Sequence, residues 1–280
     1  MKQRQRKKKA GRCLSVILAC VIGTVAGMGC GREKTKSDGT EEARPKIIIG
    51  SDNYPPFNSE DANGKAAGID VDLANEAFGR MGYEAEFIYI DWEDKKELLE
   101  SGVIDCIWCS FSIDGREDQY RWTIPYMFSR QVIAVSQTSD IYTLQDLEGK
   151  RIAVQSTTKP EEIFASHSDE RIPELAEVFS LQNRELLYPF LSKGYADAIA
   201  AHETSIVQCT KDYDLDFRIL EEPLLTVGLG VAFDRSDTRG LEQELTHVLE
   251  QMKKDGTTEQ ILGKYLDHPA HYLEAEADEN

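Results

Sequence analysis

Two extended apolar runs, at residues 131–135 and 225–233, constrain the fold more than any other feature of the sequence. On either side of the first run, segments whose apolar residues recur every second position, as in a strand, alternate with segments whose apolar residues have helical spacing. Such alternation predicts a parallel sheet with helices packed on it. Two units of this kind, connected by two extended crossings, predict an α/β protein of two lobes joined by a two-strand hinge.

Helices and strands can be assigned within each unit from apolar spacing. A helix is predicted over residues 70–81, because apolar residues recur every three or four positions and Gly82 follows. The first unit also has predicted strands at 46–50, 84–90 and 102–109 and a helix beginning at Trp92. The second unit has predicted strands at 151–154, 176–180 and 196–201 and predicted helices at 160–165 and 183–193. Two C-terminal helices, at 241–254 and 258–265, are expected to pack back on the first unit.

The N-terminal 29 residues have the pattern of a signal peptide. A basic segment precedes an apolar stretch at 14–28, which is shorter than the roughly 20 residues that cross a membrane comfortably. The stretch ends at Gly29 and Cys30, which resembles the lipid-attachment motif of bacterial lipoproteins. We therefore expect lipid attachment at Cys30, a flexible tether over 30–44, and a location outside the cytoplasmic membrane on its outer face. An ordinary signal peptide or an uncleaved anchor is the alternative.

The mature chain is strongly acidic. Removing the seven basic residues of the leader changes the formal net charge from −18 to about −25. This charge argues against a nucleic-acid partner, since phosphate binding requires clustered basic residues. Residues 269–280 are predicted to form an acidic tail.

Three cysteines remain after the leader and Cys30, at positions 106, 109 and 209. An odd number does not indicate a disulfide framework. Cys106 and Cys109 have the spacing of a redox or zinc half-site, but residues three apart on a strand face opposite sides. No second ligand pair with metal spacing follows in the sequence. We expect buried thiols, with no metal and no cofactor.

A candidate carboxylate-binding segment follows the predicted strand at 102–109. Ser110 and Ser112 would point the same way if the strand continued. Arg116, four residues on, offers a planar fork of donors that can take both oxygens of a carboxylate. A turn with an exposed arginine is the alternative interpretation.

In order and spacing, several short motifs together resemble the solute-binding proteins of polar amino-acid ABC transporters, extracellular solute-binding protein family 3. The resemblance covers roughly residues 45–268. The motifs lie at residues 50–57, 68–74, 101–105, 110–116, 196–199, 228–232 and 254–266. The resemblance implies a two-lobed fold of the type II periplasmic-binding-protein class, each lobe a mixed, mostly parallel sheet flanked by helices. Lobe one would comprise residues 45–132 and 226–268, and lobe two residues 133–225.

The resemblance also implies a set of ligand-binding residues in the cleft between the lobes. Ser110, Ser112 and Arg116 match binders of the ligand α-carboxylate, and Thr158 matches a second contact to it. Glu203 matches an acidic residue that pairs with the α-ammonium group, where the family normally has Asp. Tyr54 and Trp92 match the two walls that sandwich the ligand side chain, with ordinary core packing as the alternative. Asp52 matches a polar position that touches the ligand side chain or amine in some members. Glu203 also has an alternative interpretation, as a carboxylate at the start of a surface helix that does not bind the ligand. His202 beside it is expected to be structural or on the surface.

The function implied by the resemblance is binding of a free, zwitterionic amino acid and its delivery to the permease subunits of an ABC importer. A monomer without catalytic residues is expected. Two alternatives stay open. One is an enzyme resembling cyclohexadienyl dehydratase on the same fold, with Glu203 as a general acid. The other is a ligand-binding sensor domain that signals to a membrane receptor.

Overall fold

The structure is a computed structural model that describes residues 43–275. The predicted signal peptide, the predicted lipidation site Cys30 and nearly all of the tether lie outside the described residues, as does the end of the acidic tail. Within residues 43–275, no helix has both the length and the apolar character needed to cross a membrane.

The strands and helices alternate along the chain as the sequence predicts. The strands are β1 (Lys46–Ser51), β2 (Ser59–Glu60), β3 (Ala66–Ala67), β4 (Glu84–Tyr89), β5 (Cys106–Ile107), β6 (Arg121–Trp122), β7 (Met127–Ser136), β8 (Arg151–Gln155), β9 (Glu177–Leu181), β10 (Ala198–His202), β11 (Phe217–Ile219), β12 (Leu225–Leu229) and β13 (Ala232–Phe233). The α-helices are α1 (Ile69–Arg80), α2 (Lys95–Glu100), α3 (Lys159–Ser166), α4 (Leu187–Ser192), α5 (Glu203–Asp212), α6 (Leu241–Lys254) and α7 (Thr257–Leu262). Short 3-10 helices lie at Trp92–Asp94, Leu144–Leu147, Arg184–Leu186 and Pro269–Tyr272.

Lobe one is built on a five-stranded sheet with the order β4-β1-β5-β13-β6. β1 runs parallel to β4 and β5, whereas β13 is antiparallel to its neighbours. Helices α1, α6 and α7 bury apolar faces against this sheet, with Phe78, Leu245 and Leu262 fully buried. The C-terminal helices therefore pack on lobe one, as the sequence predicts.

Lobe two is built on a second mixed sheet with the order β11-β7-β10-β8-β9, and β12 also pairs with β7. β8 is parallel to β9 and β10, and β7 is antiparallel to its three partners. Two apolar clusters cover the faces of the sheet, one around Ile133 and Leu147 and the other around Ala134 and Ile206. The protein is thus an α/β protein with two lobes, each with its own sheet and core.

The chain crosses between the lobes in β7 and again near β12. Met127, at the start of β7, belongs to the core of lobe one, whereas Val132 and Ile133 belong to the clusters of lobe two. β12 pairs with β7 from Leu225 to Leu229 and leads into β13 of lobe one. The two crossings are therefore hydrogen-bonded to each other.

Two segments illustrate how the structure differs from the sequence-based assignment. The strand predicted at 102–109 is paired only at Cys106–Ile107, because residues 101–105 form a turn around Gly102, whose φ is +73°. The start of the predicted tail, Pro269–Tyr272, is a 3-10 helix, and Tyr272 and Leu273 pack against the core of lobe one.

Candidate functional site

A cavity of about 30 Å³ lies between the lobes. Lobe one lines it with Trp92, with Cys109, Ser110, Phe111 and Ser112, and with Arg116. Lobe two lines it with residues from β7, β8, β10, α3 and α4 and with Arg184. Of the residues predicted to bind a ligand, the cavity brings together Trp92, Ser110, Ser112, Arg116 and Thr158.

A buried carboxylate shapes the backbone at Ser110. The Oδ2 atom of Asp70 accepts a hydrogen bond from the Ser110 N–H at 2.7 Å, and its Oδ1 atom accepts one from the Tyr126 hydroxyl at 2.8 Å. Ser110 has a φ of +42°, so the strand does not continue here and the predicted same-side arrangement of the two serines does not come from strand geometry. Both serines nevertheless line the cavity, and the Ser110 Oγ atom is buried without a hydrogen-bond partner in residues 43–275.

Arg116 presents a buried guanidinium to the cavity. It is 8% exposed, and burial lowers the pKa of Arg116. Its Nη1 atom donates to the Ser112 carbonyl at a long 3.4 Å, and its Nη2 atom lies 3.7 Å from a carboxylate oxygen of Glu162. These contacts are weak, so most of its donors are free to bind an anionic group.

Lobe two contributes a turn at the carboxyl end of β8. Thr158 is the N-cap residue of α3, and its hydroxyl donates to the Gln155 carbonyl at 2.6 Å. Lys95 of lobe one donates to the Thr157 hydroxyl at 2.7 Å, and Ser156 donates to Glu93 at 2.5 Å. The same turn therefore lines the cavity and connects the two lobes directly.

The amino-acid sequence over residues 47–268 matches the family described as bacterial extracellular solute-binding proteins, family 3. The chain belongs to this family. A histidine-binding periplasmic protein of Salmonella typhimurium is 32% identical over 232 residues, which cover 79% of this chain and 88% of that relative.

Solved structures of similar proteins have the same fold. An ancestral arginine-binding protein bound to glutamine has 28% sequence identity and a TM-score of 0.72, covering 80% of this chain and 98% of that one. An ancestral amino-acid-binding protein that is a precursor of cyclohexadienyl dehydratase has 26% identity and a TM-score of 0.69, covering 79% and 95%.

In this family 3 protein, Tyr54 does not line the cavity, because Arg184 covers its ring. The guanidinium carbon of Arg184 lies 3.3 Å from the ring centroid, and the Tyr54 hydroxyl accepts from the His202 N–H at 3.0 Å. Asp52 also lies outside the lining and accepts from Gln155 Nε2 at 2.7 Å and from Arg184 Nε at 3.3 Å. Both residues bind lobe two directly in this conformation.

The expectation that Glu203 faces the cleft is wrong. Its carboxylate pairs with Arg130 at 3.1 Å and lines a separate cavity together with His268, His271 and Tyr272. The residue that faces the cleft is its neighbour His202, because consecutive residues at the end of an extended strand point to opposite sides. His202 is thus not on the surface, and the predicted pairing of Glu203 with a ligand ammonium group does not fit this structure.

His202 is held as a neutral ring. Burial, followed by the nearby Arg184, lowers the pKa of His202 to about 3. Its ring nitrogens lie 2.9 Å from Gln131 Nε2 and 2.9 Å from the Ser129 hydroxyl, so both are occupied. The position that would carry an ammonium-binding carboxylate therefore offers no negative charge.

Several cleft residues were not predicted from the sequence: Gln131, Gln155, Lys159, Arg184 and His202. One available signal was their position, since ligands of α/β proteins bind at the carboxyl ends of parallel strands. Gln155 ends β8 and His202 ends β10, so that rule points to both. No sequence pattern singles out Arg184, whose burial depends on contacts with lobe one.

The three cysteines among residues 43–275 are buried and unpaired. Cys109 reaches the cavity, where burial raises the pKa of its thiol to about 12, so that it stays protonated. Among residues 43–275, no cluster of three His, Cys, Asp or Glu side chains is placed to hold a metal ion.

Proposed function

We propose that this family 3 protein binds a free amino acid in the cleft between its lobes and delivers it to the permease subunits of an ABC importer. The observation that carries the proposal is the meeting of Ser110, Ser112 and Arg116 of lobe one with Thr158 of lobe two around one cavity. These groups are donors that suit a carboxylate.

A ligand held by both lobes would favour the closed conformation, since it makes the full set of contacts only there. In this proposal Arg116 and the two serines hold the carboxylate, Thr158 closes on it from lobe two, and Trp92 forms a wall. The closed form is then what the permease recognises. The related proteins that are named for histidine or arginine binding support amino acids as the ligand class.

The test is a thermal-shift screen of the twenty amino acids followed by calorimetry. A ligand that binds the native state raises its melting temperature. Arg116→Gln should weaken the affinity of the best ligand about tenfold or more, because charge-assisted hydrogen bonds to the carboxylate are lost. Lys65→Gln, which makes the same charge change at an exposed site on lobe one, should have little effect. Unchanged affinity in Arg116→Gln would rule out this carboxylate site.

We propose a binding protein rather than an enzyme. The dehydratase alternative used Glu203 as general acid, and that carboxylate is paired with Arg130 away from the cleft. Incubation with prephenate or arogenate should therefore release no aromatic product.

A sensor role is distinguished in cells, where deleting the gene should abolish uptake of the labelled ligand if the protein serves transport.

We also propose that Cys30 carries a lipid that anchors the monomeric protein outside the cytoplasmic membrane. The support is the sequence around Cys30 and the extracellular setting of the family. Cys30→Ser should move the protein from the membrane fraction to the soluble fraction, and mass spectrometry of the wild-type N-terminus should find a diacylglyceryl group. A wild-type N-terminus without lipid would contradict the proposal.

A further inference from the structure

Arg184 places a second guanidinium in the cleft. The side chain is 7% exposed, lines the cavity and lies flat on the Tyr54 ring. Its Nε atom contacts Asp52 at 3.3 Å, and neither terminal nitrogen is hydrogen-bonded within residues 43–275. A buried guanidinium with free donors on its fork is suited to bind a carboxylate through two parallel hydrogen bonds.

The cavity wall as a whole is cationic. Arg116, Lys159 and Arg184 line it, and none of its lining residues in the described part of the chain is Asp or Glu. Two carboxylates lie behind these three cations: Glu162, which is 46% exposed and 3.7 Å from the guanidinium of Arg116, and Asp52, which is 3.3 Å from Nε of Arg184. Within residues 43–275, one positive charge is therefore left without an acidic partner. Buried cations are costly unless anions neutralise them, so the wall favours a ligand with net negative charge.

The same arrangement disfavours a basic ligand. A cationic side chain is held well by an aromatic face and a carboxylate together. Here the Tyr54 face and the Asp52 carboxylate are already used by Arg184. A bound arginine or histidine would have to displace that side chain, or lie against its positive charge.

We infer that the cleft selects a solute bearing two acid groups, either a dicarboxylic amino acid or an amine-free dicarboxylate. One acid group binds Arg116 with the Ser110 and Ser112 hydroxyls, and the other binds Arg184. The inference rests on the proposed function and narrows its ligand class, with Arg184 as the residue that sets the charge preference.

The first experiment compares four probes by calorimetry with the wild-type protein: L-glutamate, glutarate, L-glutamine and L-arginine. The better of the two diacids should bind at least about tenfold more tightly than glutamine, which matches glutamate in shape but lacks the second charge. Arginine should bind more weakly still. The ratio of the affinities for glutamate and glutarate tells whether the amine contributes to binding. Equal affinity for glutamate and glutamine, or tighter binding of arginine than of both diacids, would overturn the inference.

The second experiment changes Arg184 itself. In Arg184→Gln the affinity for the preferred diacid should fall about tenfold or more, while that for arginine should rise, because the Asp52 carboxylate and the Tyr54 face become free. In the double variant Arg184→Gln with Asp52→Asn, the affinity for the diacid should stay low, and the gain in affinity for arginine should vanish. Lys211→Gln removes a charge from the exposed face of α5 and is the matched control. Unchanged diacid affinity in Arg184→Gln would contradict the inference.

The two proposals fail in different ways. If arginine or histidine binds tightly through Arg116 and the diacids do not, the diacid inference fails and amino-acid binding stands. If no amino acid binds, the proposed function itself fails, and binding of glutarate alone would leave only the diacid preference standing. Melting temperatures of all variants should be measured to check that each one is folded.

Discussion

At the residue scale, Asp70 connects the core of lobe one to the cleft. It is fully buried, and the loss of solvation raises the pKa of its carboxyl from 3.8 to about 7, although Tyr126 and the Ser110 N–H oppose that rise. The native protein therefore keeps a proton that the unfolded chain releases. Since the unfolded state binds fewer protons between about pH 4 and pH 7, stability should fall as the pH rises through this window.

Asp70→Asn should remove this pH dependence. The amide can still accept from the Ser110 N–H while offering no group that titrates, so the free energy of unfolding should change less between pH 4 and pH 7 than in the wild type. Urea titrations at several pH values measure the two slopes. Asp114→Asn, an exchange at a half-buried carboxyl elsewhere in lobe one, is the comparison. If the free energy of unfolding varied with pH in the same way for the wild type and Asp70→Asn, Asp70 would not be the source of the pH dependence.

At this scale, sequence patterns alone do not show which of two adjacent residues faces the cleft. His202 and Glu203 are adjacent, and the exact end of β10 decides which of them points at the ligand. Ser110 illustrates the same limit, because its positive φ depends on a carboxylate forty positions earlier in the chain. Such contacts are tertiary and leave no periodic signal in the sequence.

At the element scale, α1 begins at a glycine that the chain needs for steric reasons. Gly68 has a φ of +133°, and a Cβ atom there would lie 2.4 Å from the Phe57 carbonyl oxygen. Gly79, near the other end of the same helix, has its nearest neighbour 4.0 Å away, at Arg44. The two glycines therefore allow a matched comparison within one helix.

Gly68→Ala should lower the free energy of unfolding by about 2 to 4 kcal/mol, because it adds both backbone strain and a clash with backbone atoms. Gly79→Ala should raise it by about 0.5 to 1 kcal/mol, since alanine is the better helix former and meets open space. Urea unfolding measures both changes. Similar effects of the two variants would show that the start of α1 can rearrange.

The sequence predicts helices with strong apolar spacing better than it predicts short strands. The helix predicted at 70–81 spans Ile69–Arg80, a shift of one residue. The strand predicted at 102–109 is far shorter, because the apolar run there also contains a turn and buried residues without ladder pairing. Burial alone therefore explains an apolar run without requiring a strand.

At the scale of the whole molecule, direct hydrogen bonds across the cleft hold the lobes together. Glu93 accepts from Ser156, and Lys95 donates to Thr157. Burial, with Arg116 and Arg184 nearby, lowers the pKa of Lys95 to about 8. Closure in this conformation therefore uses contacts between protein groups in addition to those that a ligand would supply.

Replacing these groups should shift the molecule towards open conformations. Ser156→Ala with Thr157→Val removes both lobe-two partners, so the radius of gyration of the ligand-free protein should increase in small-angle scattering. The apparent ligand affinity should fall in proportion to the fraction of closed molecules. Ser192→Ala, which removes a hydroxyl within α4 of lobe two, should leave both quantities unchanged. An unaltered radius in the double variant would show that other contacts maintain closure.

The ten-residue strand β7 is shared by the two lobes and is paired to β12 where it leaves lobe one. A continuous ladder of this kind twists more easily than it stretches, so the lobes would rotate about it as nearly rigid bodies. In such a rotation, displacement grows with distance from the axis. The exposed contacts between the lobes, Asn53 to Glu185 and Asp91 to Gln182, would separate in such a rotation. A pair of spectroscopic labels placed across one of these contacts would report the parting of the lobes on ligand release as a change in distance.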